Sequence, residues 1–316
     1  MIAKQKRWGK KVTYIRDWRN VNEVYVQRAT FYLDFEWVKS WDNELVEMNK
    51  GKRGALFQFP NSLIKLQAIW LNFFSYRGAE GITRQLASLR VLPKYNDYST
   101  IQRRIMNLDL KIPKPKSKEI FVSTDGSGVK MNMSGEYFEQ MYGKGERKKF
   151  IKVVVSADPF EKDILKVEVS LEGEGNSEPD IAEKHMNELI DEGNDINKFF
   201  GDGSFDKHKL FDFCDQHRIK PVIKIGKDAN PDADGSWKRS IEVRKYKKLG
   251  YKKWAKKNEY GRRWTGTEGI FSAVKKIYGE RVRAHRVDNM CLEAKRKFWA
   301  YQLIKRYAEE KMALAS

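Results

Sequence analysis

A chain of 316 residues with 41% hydrophobic content is long enough for a sizeable core, which excludes a disordered polyelectrolyte. Its formal charge of +19 is unevenly spread: residues 1–118 carry 23 Lys and Arg against 10 Asp and Glu, residues 119–200 carry 10 against 18, and residues 201–316 carry 29 against 15. Two basic flanks around an acidic middle suit a polyanion held from both sides of a metal-binding centre.

Other classes are argued against by absence. Cys214 and Cys291 form no CxxC pair, so a zinc site is not expected, and a reduced intracellular compartment is the simple reading. The longest apolar-rich run, Leu63 to Phe74, is broken by Lys65 and too short to span a bilayer, and the first residues lack a signal-peptide core. A cytoplasmic protein without a membrane partner is the expectation, with a prokaryotic nucleoid as its place if nucleic acid is the substrate.

From the N-terminus, Met1 to Arg19 interleaves Lys4, Lys6, Arg7, Lys10, Lys11, Arg16 and Arg19 with Trp8, Tyr14 and Trp18, either a solvated tail or a DNA-contacting arm. Leu33 to Met48 recurs at helical spacing, and Asn61 caps an apolar helix to about Phe74. Glu80 to Leu89 and Ser99 to Leu108 are two further helical patterns, the second with Ser99 as its N-cap. Ile101, Ile105 and Leu108 line one face of that helix, and Arg103 and Arg104 fall off it, where a recognition helix presents side chains to a groove; the longer connection leaves plain helical packing as the alternative. Lys111 to Lys118, KIPKPKSK, reads as a linker and places a domain boundary, giving a helical DNA-binding domain over 1–118 and a second domain over 119–316.

The second domain opens on IFVSTDGSGVKM, Ile120 to Met131, whose alternation predicts a strand carrying Asp125, with Gly126 and Gly128 relieving crowding beside it. Lys149 to Ala157 and Ile164 to Leu171 read as strands, and Pro179 to Asp191 as a helix in which His185 packs. Phe199 to Asp206, FFGDGSFD, again runs apolar residues into Asp-Gly-Ser and puts Asp202 at a strand end. A helix from His208 to His217 and a strand from Pro221 to Ile225 follow, and this alternation implies parallel pairing. Residues 226–260 form a lysine-rich insertion whose lysines, with Trp237 and Trp254, suit phosphate contact, the alternative being a merely soluble loop. In WTGTEGIFSAVKKIYG, Ile270, Phe271, Val274 and Ile277 make a helical face that Glu268 precedes, and Cys291 to Lys311 is a last helix, packed on the core or on a second protomer. Two strand-borne aspartates and a helix-borne glutamate form the ligand set that two hard divalent cations need.

These segments resemble the catalytic core of insertion-sequence DDE transposases, in the order Asp125, Asp202, Glu268. Many such enzymes have a Tyr, Arg, Glu, Lys signature around the third acid, and Tyr260, Arg263, Glu268 and Lys275 lie in that order. Four residues rather than three separate Arg263 from Glu268, so the signature arginine is either Arg262 or Arg263. GALFQFPNSLIKLQAIWL and YNDYSTIQRRIMNL also resemble the N-terminal region of such enzymes.

The resemblance implies an α/β RNase H-like catalytic domain, a mixed sheet with helices opening on a three-strand meander, preceded by an all-α DNA-binding domain. It implies a metal-dependent transposase that cuts transposon ends and joins them to target DNA, assembled on DNA as a homodimer. Its cofactors would be two Mg²⁺ ions, with Mn²⁺ able to substitute, held by Asp125, Asp202 and Glu268. Lys275, Tyr260 and one of Arg262 and Arg263 would contact DNA. The alternatives are an RNase H-like nuclease that cuts without joining and a transposase-derived DNA-binding protein.

Overall fold

The computed structural model describes residues 6–7, 10–11, 17–131, 150–232 and 235–314. Most of the expected basic arm, including Trp8, Tyr14 and Arg16, lies outside them, as does Lys149. From Asp17, which caps α1 (Trp18–Thr30) by accepting the Asn20 N–H at 3.2 Å, the chain is helical up to the expected linker.

The expected Leu33–Met48 helix is split. Short 3₁₀ turns at Phe31–Leu33 and Glu36–Ser40 precede α2 (Trp41–Asn49). Asp34 supplies the reason, because its carboxylate accepts the Glu36 N–H at 3.0 Å and the Tyr307 hydroxyl at 2.5 Å, bonds that compete with a continuous helix. α3 (Asn61–Trp70) stops short of Phe74 where Arg283 and Arg296 take the carbonyl of Leu71 as it leaves the helix. α4 (Tyr76–Ser88) is capped by Ser75, and α5 (Tyr98–Met106) by Asp97, whose carboxylate accepts the Ser99 and Thr100 N–H groups at 2.9 and 3.0 Å. Ser99, the expected cap, instead bonds the same carboxylate from inside the helix.

The sheet has six strands among the described residues. β1 (Glu119–Met131) is central, and runs straight through Asp125–Gly126 without a turn. β2 (Phe150–Asp158) lies antiparallel to it with Asp125 opposite Val155, and β3 (Asp163–Leu171) is antiparallel to β2. After α6 (Glu178–Asp191), β4 (Asp195–Gly201) returns parallel to the other edge of β1, and α7 (His208–Gln216) leads to β5 (Lys220–Ile223), parallel to β4. The two-residue β6 (Arg281–Val282) pairs with the far end of β1. Alternation along the strands sends Ile120, Val122 and Phe199 to a core under α6 and α7, and Ile151, Val153 and Val155 to a second core on the opposite face.

That second core crosses the expected domain boundary. Ile64, Ala68, Ile69, Ile101 and Ile105 from α3 and α5 are buried in one cluster with the β2 valines and with Met290, Ala294, Phe298 and Ile304 of α11 (Val287–Leu314). Residues 111–118 have no helix or strand, as expected of a linker, but they join two parts that share an interior. The C-terminal helix, left open between core and partner by its sequence, is a core element. No helix among the described residues is long and apolar enough to cross a membrane.

The lysine-rich insertion, which breaks the strand and helix pattern in sequence, contains α8 (Trp237–Lys257), bent at Gly250 with φ +70°. Arg239, Val243 and Trp254 are buried, so Trp254 belongs to the interior, while Trp237 is 70% exposed.

A buried ionic network ties α11 to the start of β3. Asp163 accepts from Gln302 Nε2 at 2.8 Å, Lys305 Nζ at 2.6 Å and Arg306 at 2.7 Å. Truncating one member of such a network strands the opposite charge without water. Asp163→Ala is therefore expected to lower unfolding free energy by about 3–5 kcal/mol in urea denaturation, and a loss under about 1 kcal/mol would show the network to be dispensable.

Candidate active site

Asp125 projects from the middle of β1 and is largely buried. Burial raises its pKa above the ordinary 3.8; the Arg263 guanidinium and the Gly126 N–H, donating at 2.9 Å, oppose the rise, and the charges of Asp202 and Glu178 add to it. These charges identify what stands around the carboxylate.

Asp202 follows the last residue of β4 and caps the 3₁₀ turn Gly203–Phe205, its Oδ1 accepting the Ser204 N–H at 2.8 Å and hydroxyl at 2.6 Å. The turn is held from the insertion. Asp206 makes a two-pronged ion pair with Arg239 of α8, 2.6 and 3.0 Å, and accepts the Gly226 N–H at 3.1 Å. Nothing in the sequence pattern singled out this pair, since Asp206 and Arg239 lie in loop-like and lysine-rich surroundings.

Glu268 opens α10 (Glu268–Tyr278), which lays Ile270, Phe271 and Val274 into the core and leaves the Glu268 side chain 57% exposed. The short α9 (Arg262–Gly266) precedes it. α9 sits against the β2–β3 turn so closely that a Cβ on Gly266 would fall 2.7 Å from the Pro159 Cα, which requires glycine there. Asp158 shapes that turn by accepting the N–H groups of Phe121, Phe160 and Glu161.

The docking of α9 separates the two arginines. Arg262 lies on the outside, its guanidinium 5.2 Å from the Phe160 ring centre. Arg263 is buried and spans the acids, 3.5 Å from Asp125 Oδ2 and 3.7 Å from Glu268 Oε1. Tyr260 lies under it at 5.7 Å, packed with Trp254, Phe200 and Val222, and burial pushes its phenol up to about 12. Tyr260 is therefore a support for Arg263 and not an open DNA-facing side chain. Lys275 reaches back to β1, donating to Ser127 Oγ at 2.8 Å, two residues beyond Asp125.

Other expected residues fall elsewhere. Arg104 turns inward, donating to the Phe59 carbonyl at 3.0 Å and Asn61 Oδ1 at 2.8 Å, with its charge 4.4 Å from the Phe57 ring; Arg103 is exposed. His185 is buried against Ser156 at 2.9 Å, and burial lowers its pKa to about 3, so it stays neutral. Glu242 and Glu259, two other acids near the C-terminal half, pair with Lys245 and Lys198.

Carboxylate oxygens are the donors that hard divalent cations prefer, so the chemistry of the set fits such ions. Among the described residues, however, no three acidic, histidine or cysteine side chains converge as a ligand group. With the guanidinium of Arg263 between them, Asp125 and Glu268 share a cation of the protein's own.

Among known proteins, the family model described as the transposase DDE domain matches residues 116–303, more than half of the chain, and a second model of that description matches residues 26–134. Solved structures give weaker likenesses. A Drosophila P element transposase strand transfer complex is 11% identical over 90% of this chain and 88% of that one, with a TM-score of 0.31. The Mos1 strand transfer complex is 10% identical over 93% and 96%, with a TM-score of 0.28. Overlays this loose add nothing to the family match.

The charges around Asp125 have a measurable consequence. Because its folded pKa lies above the unfolded value, the folded state binds more protons as pH falls, and stability is lost as pH rises from 3.8 through the folded value. Asp125→Asn is expected to be more stable than wild type at neutral pH and to match it below about pH 3, in denaturation series at both pH values. Arg263→Met should raise the Asp125 midpoint further, read by carboxyl NMR; a midpoint that stays or falls would mean that Arg263 does not govern the site.

Proposed function

The chain belongs to the transposase DDE domain family, and from that premise we propose that it is the DNA transposase of an insertion sequence, cutting at the element's ends and joining them to target DNA. The proposal assigns it an RNase H-like catalytic unit and a homodimeric assembly on DNA. Asp125 would be the carboxylate shared by two divalent cations, Mg²⁺ or Mn²⁺, with Asp202 completing one position and Glu268 the other. The observation that carries this reading is the meeting of Asp125 and Glu268, from a central strand and a distant helix, on the single guanidinium of Arg263, with the Asp202 charge acting on the same strand carboxylate.

Divalent cations held by those carboxylates would supply an activated oxygen nucleophile and stabilise the departing oxyanion. The remaining work belongs to side chains. Arg263 lies against the Tyr260 ring, and a guanidinium whose acids are engaged elsewhere is free to fork onto a phosphate. Lys275, on the same helix as Glu268 and bonded to the catalytic strand, would hold a neighbouring phosphate without sharing the acids' role. Exposed Arg262 and Arg103, and the exposed lysines 247, 248, 252, 253, 256 and 257 of α8, offer sequence-independent contacts along the duplex.

The test uses labelled DNA carrying the element's end, with and without a second DNA. Wild type should nick in Mg²⁺ and join the freed 3′ end. Asp125→Ala, Asp202→Ala and Glu268→Ala should each lose about 1,000-fold or more in cleavage while still binding DNA, and Glu242→Gln and Glu259→Gln should remain active. Nicking without joining would favour the plain nuclease. Wild-type cleavage by any of the three alanine variants would remove that residue from the site.

A further inference from the structure

Where the N-terminal helices meet the start of α11, the structure holds a cavity of about 380 Å³ whose charge is one-sided. Ser75 and Tyr76 at the head of α4 and Gln102 of α5 line one side, and Arg283, Arg286 and Arg296 line the other. Glu293 is the only carboxylate among the described residues that line it, so positive charge is in excess whatever the state of His285.

The loop that carries Arg283 and Arg286 is fixed from inside. Glu293, 5% exposed, accepts the N–H groups of Arg283 and Ala284 at 2.9 and 3.0 Å. The Arg283 guanidinium is taken up by carbonyls beyond the end of α3, donating to Leu71 and, at 3.4 Å, to Phe73 and Phe74. Arg296 also donates to Leu71, yet it is 5% exposed, lines the cavity and has no partner for its Nε among the described residues. A buried guanidinium gains from each further acceptor brought to it. Arg286 is exposed, and no hydrogen bond or ion pair among the described residues occupies its side chain.

Resting on the reading that the chain binds DNA, though not on the acids being cation ligands, we propose that this cavity seats a DNA backbone phosphate, with Arg286 as the direct contact and Arg296 as the buried charge behind it. Guanidinium groups fork onto phosphate oxygens, and α4 begins at the cavity with the positive end of its dipole. Gln102 and Arg103 are consecutive exposed residues of α5, so a strand that passes the outside of that helix has the cavity beside it. The bland role for the arginines is to close the C-terminal end of α3. That accounts for Arg283 and for one bond of Arg296, and leaves Arg286 and the excess charge without a purpose.

The experiment measures the affinity of the full chain for a duplex of arbitrary sequence across a salt series, which works whether or not the chain cuts DNA. Arg286→Gln is expected to lower the slope of log affinity against log salt by about one and to weaken binding about fivefold near physiological salt. Gln102→Glu, which brings a carboxylate to the opposite side, should weaken binding too. The double variant should lose less than the product of the two single losses, since both act on one phosphate. Both side chains are exposed, so neither change threatens the fold. Losses that multiply would put the two residues on different phosphates and overturn the shared seat. An unchanged slope in Arg286→Gln, with wild type binding DNA, would remove the cavity and leave the proposed function standing. If inorganic phosphate then raised the melting temperature of wild type but not of Arg286→Gln, the cavity would be a site for free anions and not for DNA. Wild type that binds no duplex at any salt would take down the proposed function and this occupant together.

Discussion

A carboxylate partly buried on the central strand of a sheet is the constraint from which the rest of this site follows. Packing removes part of the water that would solvate Asp125, and burial alone favours its neutral form. Arg263 opposes that tendency from a position which is itself expensive to hold, because a buried guanidinium needs partners on several sides. It finds them in Asp125, Glu268 and the Tyr260 ring, and its Nε is left without one. The seat of α9 on Pro159, possible only with glycine at 266, and the N–H groups gathered by Asp158 therefore belong to the chemistry as much as to the fold. A site in which one arginine links two acids is balanced by it, and the proposed cations would take over that balance if the arginine turned to DNA.

The places of the three expected acids in the fold were legible because each sits at a local change of pattern: Asp125 within an alternating strand, Asp202 at the end of an apolar one, Glu268 at the head of an amphipathic helix. The order of strands and helices in the second half could be read for the same reason, since its periods switch cleanly between two and 3.6. What local pattern cannot carry is the direction of a long side chain. Arg103 and Arg104 share the outer face of α5 in projection, yet Arg104 folds back onto the carbonyl of Phe59 and the ring of Phe57. The choice between Arg262 and Arg263 depends on a five-residue helix ending before Glu268. The insertion helix was hidden because Gly250 resets its phase partway, and the shared core was hidden because Lys111–Lys118 has a linker's composition.

The basic surface follows the same electrostatic logic from the other side. Lys220 has its pKa lowered by burial first and then by Lys198, Lys257 and Lys245, with Glu242 acting against them. Ammonium groups gathered closely enough to repel one another's protons gain when a polyanion is laid across them, which is the role proposed here for the edge formed by β4, β5 and α8. The bond from Asp206 to Arg239 links α8 to the turn that follows Asp202.

The central claim, that Arg263 balances a pair of acids which then serve divalent cations, is met most directly by anomalous diffraction from crystals grown with Mn²⁺ and a cleaved DNA end. The account predicts a manganese peak in contact with Asp125 and with Asp202 or Glu268, and the Arg263 guanidinium moved onto a DNA phosphate. Manganese bound away from Asp125, with Arg263 still spanning Asp125 and Glu268 in the DNA complex, would contradict it.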